Sequence, residues 1–258
     1  MAGGGHEMRG LTLGEIARML DNNLLDEKQI VLLGKDPRKG ARKLVERYLK
    51  KEEEKKKELK RLRELKKYEL AARQAGYMVI AGVDEAGRGP LAGPVVAAAV
   101  VLPLDVDFAG LDDSKKLTPK QRDSLYTRLQ EELIDMGVGI VDVEQIDALN
   151  IYRATLLAMA DAVKGLLVPP DFVLVDGFPV PDIPCPQRAI SGGDGLSVSI
   201  AAASIIAKVT RDRIMEELDV KYPQYGFARH KGYGTAEHRK ALQTYGPSPV
   251  HRRSFCLG

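Results

Sequence analysis

Residues 79–94 read Val-Ile-Ala-Gly-Val-Asp-Glu-Ala-Gly-Arg-Gly-Pro-Leu-Ala-Gly-Pro. An apolar strand is predicted over residues 79–83, and it leads directly into two adjacent carboxylates, Asp84 and Glu85. A glycine-rich turn with one arginine, Gly87-Arg88-Gly89, follows at once. Carboxylates at a strand end can hold a divalent metal ion, and a glycine turn brings backbone N–H groups close to a phosphate. The stretch therefore predicts metal-dependent chemistry on a phosphodiester.

The bulk composition is that of a globular chain without a membrane span. Its 258 residues fit one large domain, or one domain with a small appendage. No run approaches the ~20 apolar residues of a membrane helix, and the N-terminus lacks the apolar core of a signal peptide. The only two cysteines, Cys185 and Cys256, lack metal-ligand spacing. A cytoplasmic protein with reduced thiols is expected.

The net charge of +3 conceals an uneven distribution. Residues 38–73 contain 16 Lys/Arg and 7 Glu, a net +9, so the rest of the chain carries −6. This pattern fits a basic arm for a polyanion attached to a body that holds a carboxylate site. A solvated helix with Glu–Lys pairs explains many of the individual lysines equally well.

The first 75 residues are predicted to be a helical, basic extension that binds substrate, although it could equally bind a protein partner or pack on the body. Short helices are expected over residues 11–33, with Thr12 as an N-cap and Leu13, Ile16, Met19 and Leu20 on one apolar face. After a break at Asp36-Pro37, one long helix is expected over residues 38–73. The composition changes at Gly76, so residues 76–258 are predicted to form the catalytic domain, including its C-terminal helices.

The body alternates strands and helices in mixed order, which predicts an α/β layered domain. Strands are expected over residues 79–83, 95–102, 138–143, 172–176 and 188–190. Helices are expected over residues 119–135, 144–167, 198–222 and 235–245. Five residues at helical spacing are predicted to be core: Ile146, Leu149, Tyr152, Leu156 and Met159.

A site for two metal ions needs about four carboxylates on rigid supports. Asp84, Glu85 and Asp176 supply three, because the strand over residues 172–176 also ends on a carboxylate. Asp194 and Asp212 compete for the fourth place. Asp194 is favoured because it lies in a glycine-rich loop ahead of a helix, whereas Asp212 is flanked by two arginines and is expected to form an ion pair.

Residues 82–94 closely resemble the first motif of bacterial ribonuclease HII. Five further stretches match that family in order: Asp113-Ser-Lys-Lys-Leu117, Val175-Asp-Gly177, Ala201-Ala-Ala-Ser-Ile-Ile-Ala-Lys-Val-Thr-Arg-Asp212, His230-Lys-Gly-Tyr-Gly-Thr235 and His251-Arg-Arg-Ser-Phe255. The resemblance implies an α/β fold with a ribonuclease H-like mixed β-sheet flanked by helices. It also implies endonucleolytic cleavage of RNA in RNA–DNA hybrids and of single ribonucleotides in duplex DNA, giving 3′-OH and 5′-phosphate ends.

The resemblance also implies the roles of individual residues. The catalytic and metal-binding acids would be Asp84, Glu85, Asp176 and Asp194, which would hold two Mg²⁺ or Mn²⁺ ions. The turn Gly87-Arg88-Gly89 would read the 2′-OH, which only RNA carries. Tyr233 would pack on the next sugar, and Lys115 and Lys116 are expected near phosphate. The partners would be RNA–DNA hybrid and ribonucleotide-containing DNA, bound by a monomer with no membrane contact and no protein partner identified.

Two other readings remain open. The first is a nuclease or resolvase of the same fold that acts on DNA, and the 2′-OH-reading turn together with Tyr233 argues against it. The second is a catalytically silent hybrid-binding protein, and an intact set of four clustered acids argues against it, because their repulsion would be costly without metal. Ser204 is a candidate to orient a carboxylate, Lys208 a candidate phosphate contact and His251 a structural residue.

Overall fold

The computed structural model describes residues 10–106, 108–112 and 114–255. Asp113 of the second motif and Cys256 therefore lie outside the described residues. The chain divides into two compact units between Arg61 and Leu62. Within the described residues no helix is both long enough and apolar enough to cross a bilayer.

The N-terminal unit is built from α1 (Leu13–Asp21), α2 (Glu27–Gly34) and the first part of α3 (Lys39–Leu65). Capping boxes begin α1 and α2: Thr12 with Glu15, and Asp26 with Gln29. A small core of its own forms from Ile16, Leu20, Leu25, Leu33, Ala41 and Val45. Thr12 caps as predicted, but Leu13 is 43% exposed rather than part of the apolar face.

The single helix expected over residues 38–73 is in fact two helices. α3 ends at Leu65, and α4 spans Lys67–Gln74. Between them Lys66 is buried, and its ammonium donates to the carbonyls of Leu104 (3.0 Å) and Val106 (2.8 Å). Charge density alone suggested a continuous solvated helix, but this lysine and the buried Leu65 belong to the packing of the second unit.

A five-stranded mixed sheet forms the centre of the second unit. Its strands are β1 (Ile80–Ala86), β2 (Val95–Val101), β3 (Asp135–Val141), β4 (Phe172–Asp176) and β5 (Gln187–Ile190). Their order is β3-β2-β1-β4-β5, with β1–β2 and β2–β3 antiparallel and β1–β4 and β4–β5 parallel. β1 continues past the expected end at Val83, because antiparallel pairing extends to Asp84 opposite Ala98 and Glu85 opposite Ala97.

Helices cover both faces of this sheet. The remaining helices are α5 (Pro119–Glu132), α6 (Val143–Leu149), α7 (Ile151–Lys164), α8 (Val198–Lys221), α9 (Phe227–His230) and α10 (Ala236–Tyr245). α7 packs on the face that includes Val83 and Val175, and α8 packs on the face that includes Ala86 and Ala98. The contact with α8 is close: a Cβ on Gly82 would lie 2.1 Å from the carbonyl carbon of Ser199.

The helix expected over residues 144–167 is interrupted at Asn150. This residue has φ = 73° and its side chain accepts from the N–H of Arg153, so it starts α7 as a new helix. Ile146 and Met159 are buried, as predicted, but Leu149 and Leu156 are only partly buried. Tyr152, predicted to be core, is 46% exposed in the first turn of α7.

Candidate active site

Three carboxylates meet where β1 and β4 end. Parallel pairing sets Val83 beside Val175, so Asp84 and Asp176 follow at neighbouring positions. One carboxylate oxygen from each of Asp84, Glu85 and Asp176 lies within 4.8 Å of the other two. Oxygen donors at this spacing suit a hard divalent cation such as Mg²⁺ or Mn²⁺.

Strand alternation places the cluster across both faces of the sheet. Because successive side chains point to opposite faces, Asp84 lies on the side of α8 and Glu85 on the side of α7. Ser204 of α8 forms a hydrogen bond with the Asp84 side chain that lowers its pKa, as the sequence suggested it could. Ser204 is itself 2.7 Å from Ser114 Oγ, so the buried side of the cluster is fixed by hydroxyl groups.

The electrostatics of the cluster favour binding a cation. The pKa of Asp84 is well above its usual value, first because of burial and then because of the charges of Glu85 and Asp176. Burial also raises the pKa of Glu85 and of Asp176, although Arg88 opposes this at Glu85 and the N–H of Gly193 opposes it at Asp176. A divalent ion would relieve this repulsion and restore the ionised forms, so these residues fit such an ion.

Asp194 lies next to this cluster in a 3₁₀ turn, Gly193–Gly195. It is buried, and Lys115 Nζ contacts its Oδ2 at 3.1 Å. The preceding N–H, of Gly193, donates to Asp176 Oδ1 at 2.6 Å, so the loop is tied directly to the cluster. Asp212 instead pairs with Lys208 at 2.6 Å, so the expected ion pair forms with a lysine of the same helix and not with the flanking arginines.

Two buried arginines, for which the sequence predicted no role, support the Gly-Arg-Gly turn and the residues that follow it. Arg211 and Arg252 are both fully buried. Arg211 donates to the carbonyls of Pro94, Lys231 and Ala92. Arg252 donates to the carbonyls of Gly93, Arg88, Gly87 and Pro94.

Neither arginine forms a salt bridge with a carboxylate in the described part of the chain. Burial lowers the pKa of Arg211 to about 10 and that of Arg252 to about 9. Both values leave the guanidinium groups charged at neutral pH. Gly87 fits over Arg211 only because it lacks a side chain: its φ is 96°, and a Cβ would lie 2.1 Å from Arg211 Nε. Arg211 and Arg252 lie within two of the stretches that resemble ribonuclease HII, residues 201–212 and 251–255, and this was the signal in the sequence that could have marked them.

The other predicted substrate residues lie around the cluster. Arg88 Nη1 is 3.3 Å from Glu85 Oε1. Lys116 Nζ is 3.2 Å from Asp112 Oδ1, and it also lies close to Gly195, the residue that follows Asp194. Tyr233 is 45% exposed, and a Cβ on Gly89 would lie 3.8 Å from its ring.

Three histidines form a buried network beneath Tyr233. Ser248 N–H donates to His251 Nδ1 (2.9 Å), so the proton of neutral His251 is on Nε2 and donates to His238 Nε2 (2.9 Å). His238 therefore carries its proton on Nδ1 and donates to the carbonyl of Tyr233 (3.0 Å). His230 stacks on His238 with ring centroids 4.5 Å apart. This explains the structural role expected of His251.

Glu69 of α4 is a further buried acid that the sequence did not reveal. It accepts from the N–H and Oγ of Ser199 (3.0 and 2.6 Å) and from Ser197 Oγ through one oxygen, Oε1. It therefore caps the N-terminus of α8 from a distant part of the sequence. Its Oε2 has no hydrogen-bond partner among the residues that the structure describes, and the carboxylate lines a cavity of about 190 Å³ with Arg73 and Met78.

Comparison with known proteins identifies the family. The family model "Ribonuclease HII" matches residues 81–257, and "Ribonuclease HII N-terminal domain" matches residues 12–73. The chain belongs to the ribonuclease HII family. Ribonuclease HII of Acetivibrio thermocellus is 52% identical over 250 residues, which cover 96% of this chain and 98% of that protein. The N-terminal extension is thus part of the family's arrangement and not an addition to it.

Solved structures agree with the ribonuclease H-like fold. Ribonuclease H2 from Pyrococcus horikoshii superposes with a TM-score of 0.59 at 31% identity, covering 70% of this chain and 95% of that one. Bst-RNase HIII, solved in complex with Mn²⁺, has a TM-score of 0.57 at 21% identity, covering 73% and 70%. The predicted fold class is therefore confirmed, and so is the ribonuclease H activity that the family carries.

Proposed function

We propose that this ribonuclease H cuts the RNA strand of RNA–DNA hybrids and also cuts 5′ to single ribonucleotides within duplex DNA. The observation that carries the proposal is the position of the three-carboxylate cluster directly before the Gly-Arg-Gly turn. The buried Arg252 supports that turn by donating to the Gly87 carbonyl. A phosphate held at the cluster would bring its neighbouring sugar to that turn. The proposed products have 3′-OH and 5′-phosphate ends.

In this proposal Asp84, Glu85, Asp176 and Asp194 hold two divalent ions, Mg²⁺ or Mn²⁺. When bound, such ions activate the attacking water and stabilise the leaving 3′ oxygen. The protein's own contribution is to orient these acids. Ser204 holds Asp84, and Gly193 N–H holds Asp176. Lys115, which pairs with Asp194, places a positive charge beside the acids, where a substrate phosphate would lie.

Specificity would come from different contacts with two adjacent sugars, one of which must carry a 2′-OH and the other must lack it. The N–H groups of residues 87–89 and the Arg88 side chain contact the ribose 2′-OH, which can both donate and accept a hydrogen bond. Tyr233 packs on the following sugar and excludes a 2′-OH by crowding. The requirement for ribose on one side and deoxyribose on the other defines the cut site.

The deciding experiment is cleavage of a DNA duplex that contains one ribonucleotide, in Mg²⁺ or Mn²⁺. A single cut on the 5′ side of the ribonucleotide is expected, and Asp84→Asn should reduce the rate at least about 100-fold. Cutting of the all-DNA control would favour the DNA-acting nuclease. Tight hybrid binding without cutting would favour the silent hybrid-binding protein.

Metal binding can be tested without measuring activity. Addition of Mg²⁺ or Mn²⁺ should raise the unfolding temperature of the wild type, because a ligand of the native state stabilises it by mass action. Asp84→Asn should be more stable than the wild type in EDTA, since it removes repulsion within the cluster, and it should gain less on adding metal. Equal gains in both proteins would contradict the proposed metal site.

We also propose that the N-terminal unit binds the nucleic-acid backbone. Lys43, Arg47 and Lys50 follow one another on α3 at i, i+4 and i+7, and they line one open groove with Leu13 and Gly40. Cations in such a row can follow a line of phosphates, and each contact adds salt-dependent affinity. This proposal assigns the role to Lys43, Arg47 and Lys50, within the segment 1–75 that is predicted to bind substrate.

A further inference from the structure

An exposed aromatic pair lies beside the carboxylate cluster. Tyr152 and Phe178 are 46% and 52% exposed, and their rings meet edge to face with centroids 5.8 Å apart. They line a crevice together with Glu85, Arg88 and Asp176, and its apolar wall is formed by Leu156 and Met159. Large apolar groups left exposed at the rim of a polar site mark a binding surface.

Local structure fixes both rings in place. Phe178 follows Asp176 by two residues, in a turn where Phe178 N–H donates to the Asp176 carbonyl and Gly177 N–H donates to the Ile190 carbonyl. Tyr152 lies in the first turn of α7, directly after the Asn150 cap. The backbone is hydrogen-bonded at both positions and the two rings contact each other, so the pair forms one apolar surface.

Among the residues that line this crevice, only Arg88 has a proposed substrate contact. Asp194, Lys115 and the arginines under the turn are on the α8 side, whereas Glu85 faces α7 and the aromatic crevice. Tyr233 lies near Gly89 at one end of the turn, whereas the aromatic pair shares its crevice with Arg88, Glu85 and Asp176. In the proposed reaction Tyr233 meets the sugar downstream of the ribonucleotide.

We propose that Tyr152 and Phe178 bind the nucleotides immediately upstream, on the 5′ side, of the scissile phosphate, by packing their rings on the sugar or base. This rests on the proposed function, since it takes the direction of the strand from Tyr233. Aromatic rings are suited to this task because they contact sugars and bases without requiring a particular sequence. Arg88, shared by the turn and the crevice, lies at the boundary between the two subsites.

The test compares KM and kcat of Tyr152→Leu and Phe178→Leu on a duplex with one ribonucleotide. Each change should raise KM about tenfold and leave kcat within about twofold, at the lower end of measured base–aromatic stacking. Tyr152→Phe should behave like the wild type, because it keeps the ring. Tyr245→Leu, which removes a ring of similar exposure elsewhere, is the matched control.

Shortened substrates localise the contact. The KM penalty of the leucine variants should disappear on a duplex trimmed on the 5′ side of the cut and persist on one trimmed on the 3′ side. A penalty lost with the 3′ flank instead, a penalty equal on all substrates, or no penalty at all would overturn the inference. Wild-type protein that failed to cut any of these duplexes would instead overturn the proposed function.

Discussion

At the scale of single residues, two contacts connect distant parts of the chain to the site: Glu69 with Ser199, and Gly87 with Arg211. Glu69 caps α8, which begins three residues after the turn that carries Asp194. The Glu69 carboxylate stabilises the N-terminus of α8 through its hydrogen bonds and through its interaction with the helix dipole. We therefore predict that Glu69 helps to position Asp194 through the N-terminus of α8.

Replacing Glu69 should weaken both stability and metal response. Glu69→Ala leaves Ser197 and Ser199 without their acceptor, at a cost of about 2–3 kcal/mol of unfolding free energy, and it should raise the Mg²⁺ concentration for half-maximal cleavage. Glu69→Gln keeps an acceptor and should lose about half as much. Urea unfolding and metal titration measure the two effects. Glu64→Ala, at an exposed glutamate, is the control; equal behaviour of both alanine variants would contradict the capping role.

Gly87 offers a test of the support beneath the turn. Gly87→Ala should destabilise the protein by more than 2 kcal/mol and abolish most cleavage, because a left-handed φ costs an alanine about 1 kcal/mol and the new Cβ also meets Arg211. Gly76→Ala is matched, since Gly76 has φ = 99° but open space around it. Thermal unfolding should separate the two variants, and similar losses would mean that backbone strain alone is responsible.

The sequence could predict some of these residues and not others. Asp84, Glu85 and Asp176 could be predicted because each follows an apolar run that forms a strand, and the ends of such strands lie at one edge of the sheet. Glu69 was not, because its contacts lie 128 to 130 residues away and its neighbours suggest only a charged helix. Tyr152 was predicted to be core because helical spacing alone does not show where a helix begins.

At the scale of elements, the histidine network fixes the geometry of the Tyr233 loop. His238 joins α10 to the Tyr233 carbonyl, and His251 joins the C-terminal segment to α10. Each of these rings uses one nitrogen as donor and the other as acceptor. A further proton on either ring would therefore set two donors against each other.

This network predicts acid-sensitive stability. Burial, followed by the charge of His238, lowers the pKa of His251 from 6.5 to about 4. The unfolded chain therefore binds more protons than the folded chain below pH 6.5, so stability is complete above that pH and falls as the pH drops towards 4. The loss from one such group reaches about 3 kcal/mol.

Urea unfolding of the wild type and of His251→Gln between pH 7.5 and 4.5 measures this effect. The variant should be less stable at pH 7.5, since Ser248 N–H loses its acceptor, and the gap should narrow on acidification because glutamine does not titrate. A constant gap across the range would rule out the histidine as the source.

Element boundaries followed the sequence where a local signal exists. Thr12 caps α1 as predicted, and Thr118 and Thr235 cap α5 and α10. The boundaries that differed depend on tertiary contacts: β1 is prolonged by pairing with β2, and α3 and α4 separate where Lys66 binds loop carbonyls. The interruption at Asn150 requires a positive φ that no spacing rule predicts.

At the scale of the whole molecule, charge is divided between a basic N-terminal unit and a body with an acidic site. Lys43→Gln with Arg47→Gln should weaken binding to a hybrid duplex and reduce the slope of log K against log salt by about 1.8, which corresponds to two phosphate contacts. The matched control is Lys56→Gln with Lys60→Gln, exposed on the opposite side of the same helix. Fluorescence anisotropy at several salt concentrations measures both, and equal slopes would indicate a general charge effect.

The two arginines sealed beneath the turn have a consequence for how this protein responds to ionic strength. Mobile ions screen charges on a solvated helix, but they cannot enter the interior around Arg211 and Arg252. The affinity of the turn for phosphate should therefore depend little on salt concentration, whereas the affinity of the N-terminal unit for the duplex should fall as salt is added. Dilute buffer would favour broad capture of duplexes, and concentrated buffer would leave recognition of the junction as the main source of affinity.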